Sequence, residues 1–343
     1  MDKNLPLISI LVCNFNYEAY ITDALKSALN QDYKNTEIVV IDDGSTDRSL
    51  SVVKDFVRKH PSQKFIVQAK TKNEGVCRTR NDAINISKGE YFIFLDSDDT
   101  MPPDYVSSLY AVAVDKQADV VYGDARLFGD EGGKSNAPEY NPEELLLENY
   151  INVSALVKKS KIKDHRFDEK LSLESHEDYD FWVGLSLEGL KFVKAKNTYL
   201  NYRIQSQSRN SNTLDFETRM LTFINSWRYI IEKYRKQYTI PDKIFFAQIQ
   251  HQVKLLASEL KKLNDIIQND LGPEMLKREK HINHLQQALD NSKIQLNNLE
   301  EQLESTKKQL SEILVSKDYR VGHWLLSKLK KARRPYNIKH KLS

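Results

Sequence analysis

Four short segments in the first hundred residues constrain the fold most: ISILV (8–12), EIVVI (37–41), KFIVQA (64–69) and YFIFL (91–95). Each is rich in β-branched or aromatic residues, and the first, second and fourth are nearly unbroken apolar runs. Such runs mark strands covered on both faces of a parallel sheet. Between them the apolar period changes. Tyr20, Ile21, Ala24, Leu25 and Ala28 share one helical face, as do Val52, Val53, Phe56 and Val57 within 48–59, and Ala83, Ile84 and Ile86 within 80–87. This alternation predicts an α/β, doubly wound, mostly parallel sheet, with ADVVYGD (118–124) as its fifth strand.

The remainder changes character in steps. Residues 130–142 are polar and rich in Gly and Pro, which predicts an exposed loop. GDEGGKS within it fails as a phosphate-binding P-loop, because Phe128 stands where the first glycine is required. An α+β region follows, with helices expected near 143–150 and 180–188, the latter ending at Gly189, and strands at KFVKA and TYLNYRI. Beyond it Ile249, Val253, Leu256, Leu260, Leu263 and Ile267 recur at heptad spacing up to the break at Gly272-Pro273. The spacing resumes at Ile282, Leu285, Leu289, Ser292, Leu296, Leu299, Leu303, Thr306, Leu310 and Ile313, a coiled-coil pattern whose seam needs a partner. The end is basic and amphipathic: Arg320, Lys328, Lys330, Lys331, Arg333 and Arg334 accompany Trp324, Leu325, Leu326 and Leu329. That composition suits an anionic membrane surface, or a solvated tail. The expected divisions are therefore 1–124, 125–235, 243–316 and 317–343.

Bulk properties narrow the function classes. With 51 Lys and Arg against 48 Asp and Glu, no global field recruits nucleic acid. Cys13 and Cys77 are the only cysteines, so there is neither a disulfide framework nor zinc-type spacing, and a cytoplasmic chain is expected. The apolar run 5–13 is too short to span a bilayer and no other segment approaches that length, so the expectation is a soluble or membrane-peripheral protein.

In an open parallel sheet, ligands bind beyond the carboxyl ends of the strands. There this chain places CNFN (13–16), DDGSTD (42–47), TKNEGVCRTRND (71–82) and DSDD (96–99). DDGSTD alone reads as a turn and helix cap, Asn73 and Gly75 as a turn, and Arg78 and Arg80 as a solvated first helical turn. For DSDD, Met101 at the sixth position and the following Pro102-Pro103 exclude an EF-hand loop. Three acids beside a buried strand repel one another unless a cation compensates. Magnesium or manganese, held by one or two carboxylates plus substrate phosphates, fits Asp96 and Asp98; an acidic turn remains the plain alternative.

The blocks SILVCNFN, IVVIDDGSTD, KNEGVCRTRNDA, GEYFIFLDSDD and HEDYDFW, in this order from about Ile8 to about Arg203, resemble family 2 glycosyltransferases of the GT-A fold. The resemblance implies a nucleotide-sugar-binding first division, an acceptor-binding and catalytic-base second division, and inverting transfer from a UDP-sugar. Asn14 and Phe15 would line the base pocket and Asp42 would bond the uracil, with Asn16, Asp43, Asn73 and Arg80 also on the nucleotide. Asp98 would bind Mn2+ or Mg2+ directly, and Asp96 ribose or metal-bound water. Asp178 would be the catalytic base, Glu177 its fallback, although Ser175 and Asp178 also satisfy a plain S-x-x-D helix-capping box. Two departures stand out. Cys13-Asn14-Phe15 replaces a common Pro-Thr-Tyr, and Gln205 replaces a histidine that aids metal or diphosphate binding. Arg203, Gln205, Ser206 and Arg209 become candidate diphosphate contacts. The absence of Q-x-x-R-W implies non-processive transfer, and a lipid-linked glycan in bacterial surface-polysaccharide assembly is the expected acceptor. The contrasting expectation is a non-catalytic coiled-coil scaffold with a degenerate sugar-nucleotide domain.

Overall fold

The computed structural model of the chain describes residues 5–130, 132–171, 176–205, 216–235 and 279–315, with 254, 257, 258 and 261. The seam positions from Ile249 to Ile267, the Gly272-Pro273 break, Ser175, Ser206, Arg209 and the basic tail 317–343 lie outside the described residues. The chain divides into two compact units, Met1–Gln248 and Ile249–Ser343.

The first unit alternates as the pattern demands: β1 (Ile8–Asn14), α1 (Ile21–Leu29), β2 (Thr36–Asp42), α2 (Ser49–Lys59), β3 (Phe65–Ala69), α3 (Val76–Ile86) and β4 (Tyr91–Asp96). Then come α4 (Tyr105–Lys116), β5 (Val120–Gly129), β6 (Gly133–Ser135), α5 (Pro142–Leu145), β7 (Leu156–Lys158), α6 (Glu177–Leu187), β8 (Phe192–Ile204) and α7 (Phe216–Arg235). One sheet joins all eight strands in the order β3-β2-β1-β4-β7-β5-β6, with β8 beside β5. β3, β2, β1 and β4 are mutually parallel, and β7 is antiparallel to β4 and β5. Every residue of β2 is buried and all but Cys13 in β1, so the apolar runs do cover two faces. Helices α1, α2 and α4 close over this sheet through Ile21, Leu25, Val53, Phe56, Val106 and Leu109.

Several elements differ from the sequence pattern. α3 starts at Val76 because Gly75, with φ of 93°, turns the chain into it. α5 is a single turn, capped where the Asn141 side chain accepts from the Glu143 and Glu144 N–H groups. The supposed loop 130–142 contains β6, which pairs with β5. The two expected strands after α6 are one long strand, β8, whose pairing with β5 shifts register between Tyr122 and Asp124. α6 ends as expected before Gly189, which takes a φ of 83°.

The second unit contributes α8 (Glu279–Val315), a helix of 37 residues.

Candidate active site

Strand register builds one wall of the site. Asn14 pairs with Asp42 and Cys13 with Asp96, so the ends of β1, β2 and β4 meet at one edge. This edge flanks the switch point of the sheet, where β2 and β4 lie on opposite sides of β1. Asn14 is buried, and its Nδ2 donates to Asp42 Oδ2 at 2.7 Å and to Ser45 Oγ at 3.2 Å. Ser45 donates to Asp42 in turn, through its N–H at 2.9 Å and its hydroxyl at 2.7 Å. Asn14 Oδ1 is buried without a hydrogen-bond partner among the described residues. Asn16, at a φ of 60°, accepts the Thr46 N–H at 2.8 Å and so fixes the turn after β2. Phe15 lies between these anchored residues with 39% of its surface exposed, an open aromatic face beside buried polar groups.

Asp43 and Asn73 both hold backbone N–H groups ahead of α3. Asp43 accepts from the Glu74 and Gly75 N–H groups at 3.1 and 2.9 Å and pairs with Lys70 at 3.2 Å. Asn73 Oδ1 accepts the same Gly75 N–H at 2.9 Å. Both therefore shape the entrance to α3.

The acidic loop after β4 is fastened on two sides. Ser97 Oγ donates to the Cys13 carbonyl at 2.8 Å, tying it to β1. Thr100 and Asn201 exchange backbone hydrogen bonds of 3.1 and 3.0 Å, tying it to β8. Asp99 is buried and accepts the Arg203 N–H at 2.7 Å. Burial, then the charges of Asp96 and Asp98, push its carboxyl well above the usual range. The third acid is thus an anchor for the end of β8. That anchoring brings Gln205 to Asp98, where Nε2 donates to Oδ2 at 2.9 Å. Arg203 donates from Nε to the Asp98 carbonyl at 2.8 Å, and its guanidinium lies 4.7 Å from the Tyr20 ring centroid and 4.4 Å from that of Phe128. This holds Arg203 as a clamp on the loop.

The other wall is the start of α6, and Arg80 joins the two. Only 4% exposed, it donates from one guanidinium nitrogen to Asp96 Oδ1 at 3.1 Å and from the other to Glu177 Oε1 at 2.9 Å. Burial opposes its charge, but Asp96 and Glu177 outweigh that cost and raise its pKa further. Glu177 is itself buried and committed to this pair. The next residue, Asp178, is half-buried. Its Oδ2 accepts from Asn149 Nδ2 at 3.1 Å and its Oδ1 from the Tyr179 N–H at 2.8 Å. Burial, followed by the neighbouring Glu177 charge, pushes the Asp178 carboxyl up to about 7, with Arg80 opposing. A carboxyl poised there can accept a proton near neutral pH.

Two contributors have no local sequence signal. Asn149 lies 29 residues before the carboxylate it orients. Tyr202, 36% exposed on β8, stands within the electrostatic reach of Asp96, Asp98, Asp99 and Asp178, and burial followed by these charges raises its phenol pKa. Both emerge only when β8 and the segment before β7 fold back on the sheet. The cavity of about 330 Å³ lined by Asp164, His165, Arg166, Asp168, Glu188, Lys233 and Tyr234 shares none of these residues. There Lys233 closes on Asp180 at 2.7 Å and Asp168 at 3.0 Å, which holds α7 to α6.

The donor set also bears on a metal. Among the described residues no group of three or more His, Cys, Asp or Glu is arranged to hold an ion. Asp96 and Asp98 at the strand mouth are what the protein offers, and hard cations such as Mg2+ are held by one or two carboxylates completed by substrate phosphates. The residues present fit that coordination.

Comparison with known proteins agrees with this geometry. The model of the family described as "Glycosyl transferase family 2" matches residues 9–169. An uncharacterized glycosyltransferase of Haemophilus influenzae is 30% identical over 230 residues, covering 64% of this chain and 87% of the relative. The chain belongs to glycosyl transferase family 2. The glycosyltransferase GlyA of Streptococcus pneumoniae is 39% identical over 126 residues, 37% of this chain, although the match spans only 18% of GlyA. Among solved structures, S. aureus TarS 1-349 in complex with UDP-GlcNAc aligns with a TM-score of 0.59 at 22% identity, covering 72% of each chain. The match in fold supports the GT-A-like α/β assignment for this family member. No described helix is long and apolar enough to cross a membrane.

Proposed function

We propose that this family 2 glycosyltransferase is inverting, metal-dependent and non-processive, taking a hexose from a UDP-sugar to a glycan hydroxyl. The observation that carries this reading is the pairing of a carboxyl poised at about 7, Asp178, with a separate carboxylate pair, Asp96 and Asp98. The two groups suit opposite ends of one displacement. Asp178 takes the proton from the acceptor hydroxyl as the new oxygen–anomeric carbon bond forms. On the opposite face of the sugar, the anomeric carbon–oxygen bond breaks, and the diphosphate departs with the electron pair. Asp96 and Asp98 would hold Mn2+ or Mg2+, which neutralises charge on that diphosphate. Arg80 keeps the Asp96 end and the α6 end at a fixed separation, so base and leaving-group site are positioned together.

Phe15 offers its exposed face for stacking on the nucleotide base, beside Asn14 and Asp42. The UDP-GlcNAc bound by TarS, a structure of the same fold, supports a uridine nucleotide. Self-association through α8, a lipid-linked acceptor in surface-polysaccharide assembly, and placement of the basic tail on the inner membrane face complete the reading. Deleting residues 317–343 should lower sedimentation with anionic liposomes.

Incubation with a panel of nucleotide sugars tests the chemistry. Donor hydrolysis or transfer with Mn2+, lost on chelation, is expected. Asp178→Ala should abolish transfer while UDP binding persists. A wild-type chain that binds UDP but never turns over would favour the non-catalytic scaffold instead.

A further inference from the structure

We propose that α8 forms an antiparallel two-stranded coiled coil with α8 of a second copy, in the register that sets Leu296 of each copy against Leu299 of the other. This rests on the self-association reading and goes beyond it by fixing orientation and register.

The helix carries a seam that stays partly accessible at every described position. Across 289–308 no residue is buried: Leu289, Ser292, Leu296, Leu303 and Thr306 are half-buried, and Leu299 is 56% exposed. At 1.5 Å per residue the described seam from Leu289 to Thr306 runs about 26 Å along the helix. Leu289, Leu296 and Leu303 occupy heptad position a, and Ser292, Leu299 and Thr306 position d. The flanking e positions are Lys293, Glu300 and Lys307; the g positions 288, 295 and 302 carry Ala, Gln and Gln.

The charges choose the orientation. In a parallel pair, e faces g of the other helix, so Lys293, Glu300 and Lys307 would meet Ala288, Gln295 and Gln302. None of these contacts is an ion pair, and Ser292 and Thr306 would each stack on their own copies. In an antiparallel pair, e faces e and a faces d. Opposing Leu296 to Leu299 then places Lys293 against the second copy's Glu300, and two-fold symmetry repeats the pair. The same register sets Ser292 against Leu303, Thr306 against Leu289, and Gln295 against Gln302.

A slip of one heptad is disfavoured in either direction. One slip brings Lys293 against Lys293; the other brings Glu300 against Glu300 and Lys293 against Lys307. Like charges at these positions discriminate against the wrong register. Among the described residues, Lys293 pairs with Asp290 in an exposed contact at 3.2 Å, which a neighbouring carboxylate can readily replace.

Sedimentation equilibrium on the full chain, combined with charge reversal, tests the arrangement. Lys293→Glu and Glu300→Lys should each weaken the dimer about fivefold at low salt, because each places two like-charged contacts in the seam's flank. The double reversal should restore the wild-type constant. Independently, mixing the Lys293→Cys and Glu300→Cys proteins under mild oxidation should give a mixed disulfide dimer in excess of either homodimer. A wild-type chain that stays monomeric overturns self-association itself. A dimer insensitive to both reversals, or one cross-linking chiefly 293 to 293, overturns the antiparallel register and leaves self-association standing.

Discussion

Replacing Asp178 by Asn should inactivate the protein and stabilise it at the same time, and the stabilisation should depend on pH. Moving this carboxyl from its ordinary 3.8 to about 7 corresponds to about 4 kcal/mol against the ionised form. The sign follows from linkage. The folded state holds the proton more tightly than the unfolded chain, so this group costs nothing below pH 4. The cost grows as pH rises from about 4 to 7 and is constant above that. An asparagine mimics the neutral acid and removes the cost. It can still accept the Tyr179 N–H, and a rotated Asn149 amide can accept its NH2.

Because solvent reaches the half-buried carboxylate, the gain at pH 8 is set at about 1–4 kcal/mol, a rise of about 2–4 °C in Tm per kcal/mol. Calorimetry at pH 4, 6 and 8 should show the variant and wild type coinciding at the acid end and separating as pH rises. Turnover should fall by about 10² to 10⁴ at every pH. In the wild type, kcat/KM should lose activity on the acid side with a midpoint near 7. A Tm difference that does not grow with pH would show that the carboxyl is not raised. A stabilised but active variant would place the base elsewhere.

Three further outcomes follow from the same wall of contacts. Arg80→Met should destabilise the first unit by about 3–5 kcal/mol in urea titration, since it leaves Glu177 buried without a counter-charge; a loss under about 1 kcal/mol would contradict the bridging role. Phe15→Ala should weaken UDP binding by about 1–3 kcal/mol in calorimetric titration while leaving stability within about 0.5 kcal/mol; equal affinity would remove the ring from the base site. Gln205→His should lower the Mn2+ concentration giving half-maximal activity, because an imidazole beside Asp98 is a better ligand than an amide; an unchanged titration would detach position 205 from metal binding.

The strand core and several edge residues were legible because their signals are local. Runs such as IVVI and YFIFL reveal two-face burial without reference to any partner, and the polar loop after each announces the same edge. What escaped depended on pairing between distant segments. Strand β7 is three residues long, and its place between β4 and β5 is decided by its neighbours. β8 reads as two strands because the Lys196-Asn197 interruption looks like a turn, yet pairing with β5 resumes beyond it after a register shift. The role of Asp99 was invisible for the same reason. A third carboxylate in DSDD looks redundant until β8 supplies the Arg203 N–H that it anchors.

Arg80 shows why the site could be recognised as a set before its parts could be given roles. By position it reads as a nucleotide contact, but a guanidinium held by Asp96 and Glu177 has another function first. It neutralises buried Glu177 and half-buried Asp96, which would otherwise repel, and its charge opposes the rise in the Asp178 pKa. Glu177 contributes in the opposite sense, raising that pKa while being held by Arg80. The pair is therefore a tuning device: each member spends its charge on the other, and the residue beside them is left near neutrality. A carboxyl raised to about 7 then follows from the order Glu177-Asp178 at the start of α6 together with an arginine 97 residues away from Glu177 on α3.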